Sequence, residues 1–157
     1  MKITLLCIGK TDEKFIQEGI DKYTKRLKHY INVNIVVVPD VKNVKNMSEA
    51  QQKEKEAELF LKHISNTDHV VLLDERGKEY TSIEFSKFLE QKMITSVQHL
   101  IFMIGGPYGF DDKLRERANG KVSLSKMTFS HQMVRMFFAE QIYRAFTIMK
   151  GEPYHHE

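Results

Sequence analysis

Residues 100–109 read LIFMIGGPYG, five continuous apolar residues broken abruptly by Gly105, Gly106, Pro107 and Gly109. A strand with one face in water alternates apolar and polar residues, whereas an unbroken apolar run has both faces covered. The same pattern occurs at residues 3–8 (ITLLCI), at 34–38 (NIVVV, stopped by Pro39) and at 69–73 (HVVLL), and a short strand is expected around 121–124. Stretches with helical spacing lie between them. Phe15, Ile16, Ile20, Tyr23, Leu27 and Tyr30 mark a helix within 12–30. Ser48 opens a Glu/Gln/Lys-rich helix to about 64. Ile83, Phe85, Phe88, Leu89 and Met93 mark another over 82–94. A short helix at 111–118 and a long one at 131–150 complete the alternation. The reading is a single-domain α/β protein over 1–157, with a mostly parallel sheet and helices on both faces. A turn is expected around Gly77 and a loop over 39–50.

Composition narrows the function classes. At 157 residues, 41% hydrophobic and 29% charged, the chain is neither disordered nor too small for a core. The lone Cys7 excludes an internal disulfide framework and a cysteine-rich zinc site, and it is expected to be a small core side chain. The seven histidines show no metal-ligand spacing, so no metal is expected. MKITLLCIGK is too short in apolar residues for a signal peptide, and no segment approaches the roughly 20 apolar residues of a membrane span. A cytoplasmic protein with no membrane partner is therefore expected. The net charge is +3 overall, +2 for residues 1–40, −1 for 41–110 and +2 for 111–157. Lys113, Arg115, Arg117, Lys121 and Lys126 lie close together, either as a solvated helix face or as a surface for a polyanion.

On the final helix, Glu140, Arg144 and Thr147 share one narrow polar stripe, and apolar residues occupy most of the remaining circumference. A surface helix needs an apolar arc of only about 100°. A second copy of the chain is the simplest cover for the excess, and a homodimer is expected.

Ligands of open parallel sheets bind beyond the carboxyl ends of the strands. Here those ends are Leu73–Asp74–Glu75, Ile104–Gly105–Gly106 and Leu124–Ser125–Lys126. The glycine run lacks the spacings of a dinucleotide fingerprint or a P-loop, and there is no G-x-S-x-G elbow. LSKMTF (124–129) places two hydroxyls and a lysine in an apolar hexapeptide. His131, Arg135, Arg144, Tyr154 and His155 lie on or just beyond the final helix. From the residues alone the reading stops at a dimeric α/β protein with a glycine-lined pocket. A flavodoxin-like flavin or nucleotide binder shares the alternation but would want a phosphate loop.

The opening MKITLLCIGK, the loop IGGPYG and the long terminal stretch LSKMTFSHQMVRMFFAEQIYRAFTIMKGEPYHHE carry a further likeness: the chain resembles the SPOUT methyltransferases over essentially its whole length. The resemblance implies a C-terminal deep trefoil knot, S-adenosyl-L-methionine bound in it, and a homodimer. It also implies methylation of N3 of a pseudouridine in a stem-loop of large-subunit (23S) ribosomal RNA, on the assembled ribosome. A non-catalytic ribosome-binding or assembly factor on the same scaffold is the alternative. By position, Leu73, Gly105, Leu124, Ser125, Lys126, Met127, Thr128 and Phe129 are the implied cofactor contacts. His155 is the expected proton acceptor, with Tyr154 orienting the base and Arg144 stabilising negative charge. Arg135 and His131 are expected to meet RNA phosphates, together with Lys126 and the 113–121 cluster. The chain has Ser130 where the family often has Pro, and His156 and Glu157 where a lone cation usually ends it.

Overall fold

The computed structural model describes residues 1–156. The strands are β1 (Lys2–Ile8), β2 (Asn32–Val38), β3 (His69–Glu79), β4 (His99–Ile104) and β5 (Gly120–Ser123). The helices are α1 (Lys14–Leu27), α2 (Glu49–Leu61), α3 (Ser82–Ile94), α4 (Asp112–Arg117) and α5 (His131–Met149). The strands form one sheet in the order β2-β1-β4-β3-β5, parallel at every pairing. Apolar residues of β1 and β4 are buried on both faces, which is why those runs are unbroken. At the sheet edge β2 is only partly covered, and its polar Asn32 and Asn34 stand exposed or half-buried.

Two cores divide the sheet's faces. On one face Leu27 of α1, Phe85 and Leu89 of α3, and Phe138, Ile142 and Phe146 of α5 pack on Ile3, Leu5, Phe102 and Ile104. On the other, Ala57 and Phe60 of α2 and Leu114 of α4 cover Leu6, Ile8, Leu72 and Met103. Local chemistry sets the helix starts. Ser48 with Gln51, and Thr81 with Glu84, form reciprocal capping boxes; Ser130 accepts from Met133 N–H at the head of α5.

Three details differ from the sequence reading. β3 does not end at Leu73: after an irregularity between Leu73 and Lys78 it rejoins β5 through Lys78 and Glu79. Gly77 marks this bulge rather than a turn, because a Cβ there would stand 2.6 Å from the Val122 backbone. The 39–50 loop holds a short 3-10 turn, Val44–Asn46.

The third difference is Arg135. It is 1% exposed, with its guanidinium donating to Ile8 O at 2.6 Å, Gly9 O at 2.8 Å and Thr11 Oγ1 at 3.0 Å. It therefore pins α5 to the carboxyl end of β1 and is not at a surface that RNA phosphates can reach. Arg135→Met leaves these buried carbonyls unpaired and is expected to lower the unfolding free energy by about 2–4 kcal/mol. Arg135→Lys should recover only part of it, since one ammonium cannot reproduce the guanidinium fork. Urea unfolding midpoints read both, and a wild-type midpoint for Arg135→Met would contradict the anchoring role.

Candidate active site

A cavity of about 710 Å³ opens beyond the carboxyl ends of β4 and β5, against the irregularity of β3 at Leu73–Arg76, within the range of small-molecule sites. Leu73, Gly105, Leu124, Ser125, Met127, Thr128 and Phe129, all expected there, line it. Lys126 does not: its side chain is 86% exposed and reaches only toward Glu79, at 4.0 Å. The walls are three segments tied to one another. Thr128 Oγ1 donates to Glu75 Oε2 at 2.9 Å, joining the 124–130 segment to the β3 bulge. Arg115 reaches from α4 to Asp74 at 2.6 Å. Within the 124–130 segment, Ser123 Oγ donates to Ser125 O, and Ser125 Oγ accepts from Met127 N–H.

The glycine loop closes on itself through Gly106 and Gly109, the latter at φ +80, where a side chain is strained. A Cβ on Gly106 would stand 2.7 Å from Oε1 of Glu56, a buried residue of α2 whose carboxyl accepts from Gln52 at 3.2 Å. Burial pushes the Glu56 carboxyl above the usual carboxylate range. Glu56 supports the loop from behind, and nothing in its sequence context singled it out.

His131 also lines the cavity, at the head of α5. Burial and then the Arg135 charge hold its imidazole below the ordinary histidine range. It therefore faces the cavity as a neutral hydrogen-bonding group rather than as a cation.

Arg144, Tyr154 and His155 do come together, but elsewhere. Glu140 is the hub that sequence reading missed. It accepts from Arg144 Nη2 at 2.7 Å and from Tyr154 Oη at 3.0 Å, while Arg144 Nη1 donates to His155 Nδ1 at 3.1 Å. The Arg144 guanidinium lies 4.8 Å from the centre of the Tyr154 ring, which meets Tyr143 edgewise at 4.7 Å. Glu140 was legible in sequence only as a member of the polar stripe of the last helix. Arginine has no acceptor, so His155 Nδ1 must be the one accepting. Tyr154 is held well above the ordinary tyrosine range by burial, then by its hydrogen bonds with Tyr23 and Glu140. It is a phenol and a donor at neutral pH. Glu157 lies outside the described residues.

This cluster is remote from the cavity. Val134 lines the cavity and Arg144 follows ten residues later on the same helix, which at 1.5 Å per residue is roughly 15 Å. Of the expected basic surface at 113–121, the two arginines are held by the fold, while Lys113 sits in an exposed ion pair and Lys121 is exposed. Lys113 pairs with Glu54, Arg115 with Asp74, and Arg117 donates to the carbonyls of Ser65 and Asp68. Among the described residues there is no cluster of metal-ligating side chains and no helix long and apolar enough to cross a membrane.

The family described as "Predicted SPOUT methyltransferase" matches residues 1–155. The chain is 59% identical to "Ribosomal RNA large subunit methyltransferase H" of Flavobacterium johnsoniae over 157 residues, the whole of both chains. It is 59% identical to the protein of the same name from Parabacteroides distasonis and 50% identical to that of Porphyromonas gingivalis, again over the full length of each.

Glu140→Gln removes the carboxylate that raises Tyr154 and should bring its ionisation part of the way back toward the ordinary tyrosine range. In the native chain the raised value favours the folded state fully below the unfolded tyrosine pKa, and that contribution is lost as pH climbs through the folded one. Ring-labelled tyrosine NMR over an alkaline series reads the shift, and an unmoved Tyr154 titration would contradict the hub.

Proposed function

The chain belongs to the SPOUT methyltransferase family, and from that premise we propose that it uses S-adenosylmethionine to methylate N3 of a pseudouridine in a stem-loop of large-subunit (23S) ribosomal RNA. The target on the assembled ribosome makes it a cytoplasmic enzyme. The single observation that carries the site assignment is the convergence of the ends of β4 and β5, the β3 bulge and the 124–130 segment on one cavity.

The lining suits this cofactor. Leu73, Ile104, Leu124 and Phe129 offer apolar surface for a purine, beside Gly105, where a Cβ would press on the Gly109 backbone at 3.2 Å. Glu75 places a carboxylate at the cavity, complementary to a sulfonium or an amino group, while Asp74 is neutralised by Arg115. S-adenosylmethionine supplies an electrophilic methyl group when bound. The knot of the family belongs to the same reading, with the 124–130 segment seated against loop 105–109 across the cavity and all of 1–157 forming one catalytic domain.

What the protein must add is alignment of the attacking nitrogen and removal of its proton. Arg144, Tyr154 and His155 are the residues for this. The bond from Arg144 to His155 Nδ1 occupies a lone pair that a base needs, so His155 accepts the proton when Arg144 turns from it to a carbonyl of the target base. Tyr154, kept protonated, donates to or stacks on that base. Because one protomer holds these groups roughly 15 Å along α5 from the cavity, each active site takes its tail from a second copy. An antiparallel pair of α5 helices returns each tail to the other copy's cavity. Exposed Met127, Phe129 and Phe137 are apolar surface for that contact.

Methyl transfer to ribosomes, with cofactor binding measured separately by calorimetry, tests the assignment. His155→Ala and Arg144→Ala should lose turnover while binding S-adenosylmethionine normally. Gly105→Val should lose cofactor binding. Mixed dimers of His155→Ala with Gly105→Val chains regain one working site per dimer if the tail acts across the interface. Inactive mixed dimers would sink the two-copy site. Normal turnover in both tail variants would remove the tail from the mechanism, and absence of S-adenosylmethionine binding would favour the non-catalytic assembly factor.

A further inference from the structure

Most arginines of this chain are engaged internally, and Lys113 is held in a surface ion pair. Arg135 holds β1, Arg115 holds Asp74, Arg117 caps two carbonyls, Arg144 holds Glu140 and Lys113 holds Glu54. The second half of α1 and the turn after it are different. Residues 22–30 read KYTKRLKHY, with no acid after Asp21. Leu27 is buried in the core and Tyr23 packs toward α5, while Lys22, Lys25, Arg26, Lys28 and His29 are exposed. Among the described residues none of Lys22, Lys25, Arg26 and Lys28 pairs with a carboxylate. Cations in a last helical turn suit the negative end of the helix dipole, but that accounts for one or two charges rather than four.

The position of this stripe gives it meaning. The Arg26 guanidinium lies 5.5 Å from the ring centre of Tyr143 and Lys22 lies 5.7 Å from that of Tyr23. The Tyr143 ring is the one that packs on Tyr154, beside Arg144 and His155. Tyr30 closes the same group, touching Tyr143 and donating its hydroxyl to Glu152. Cationic side chains and four tyrosines are thus continuous with the tail cluster. That combination suits a nucleic acid, whose phosphates want cations and whose unpaired bases want π-faces.

We infer that Lys22, Lys25, Arg26 and Lys28 of α1 form the docking surface for the phosphate backbone of the substrate RNA, which lies along the helix and brings its target base to Arg144, Tyr154 and His155. This rests on the methyltransferase reading above and adds where the RNA sits. Residues three apart on a helix are neighbours, so Lys22, Lys25 and Lys28 form a continuous row. It replaces Arg135, Arg115 and Arg117 as the source of phosphate contacts, because those guanidinium groups are spent on the fold.

The test is binding of purified large ribosomal subunits across a salt series. It compares the native chain, Lys25→Gln/Lys28→Gln, and a control, Lys55→Gln/Lys62→Gln, on the opposite face of the sheet. The α1 variant should bind roughly 10- to 100-fold more weakly at 0.1 M salt, with a log–log salt slope shallower by about 2. Its melting temperature and S-adenosylmethionine affinity should stay those of the native chain, and the control should match the native chain throughout. A photo-crosslinker at position 25 should attach to RNA. Native-like affinity and slope in the α1 variant, equal weakening in the control, no salt-dependent binding by the native chain, or a crosslink to ribosomal protein would each overturn the proposal. Methyl incorporation is read in parallel. A native chain that binds through the stripe but transfers no methyl group sinks the enzyme and leaves the docking surface standing.

Discussion

The guanidinium of Arg135, inserted between the final helix and the end of the first strand, sets the geometry on which the rest depends. Ile8 and Gly9 present carbonyls with no further strand residue to satisfy them, and a helix crossing above supplies the donors. With that point fixed, the head of α5 and His131 face the cavity, while the other end of the helix carries Arg144 to the far side of the domain. A charge this deep is costly to bury, and its two terminal nitrogens meet oxygen acceptors rather than a counter-ion, while Nε has no hydrogen-bond partner. The arrangement is a positional device as much as a stabilising one.

A second consequence concerns how a mildly basic protein can meet a polyanion. Total charge is a poor guide here, because the fold consumes many of its own cations: in helix-to-loop ties at Arg117, in strand-end ties at Arg115 and Arg135, and in the hub at Glu140. What remains for solvent is decided by which cations lack a nearby carboxylate. Desolvated or paired groups have already exchanged hydration for protein contacts, so they have little left to offer a phosphate.

The separation of the cavity from the tail cluster gives the apolar excess of the last helix a second role. Much of α5 is covered by α1, α3 and the sheet, which together enclose Phe138, Ala139, Ile142, Ala145 and Phe146. A helix lying between two others on a sheet is buried over more of its circumference than a surface helix, so much of the apolar face of α5 is covered within one copy. Phe137 of α5 stays exposed, its ring centre 5.4 Å from that of the nearby Phe129.

Continuous apolar runs alternating with helical periods were enough to give the parallel sheet and the helices on both faces, because burial on two faces writes itself directly into residue pattern. The likeness of LSKMTF and the terminal stretch to a known family supplied the chemistry that periodicity could not. Tertiary structure alone decided the rest: that Lys126 points outward while its neighbours line the cavity, that β3 continues past Gly77, that Glu56 supports Gly106, and that Arg135 is buried. Each depends on side chains meeting partners dozens of residues away. A charged side chain reads the same along the chain whether it ends in water, in a salt bridge or against a carbonyl, and only the packed fold selects among those ends.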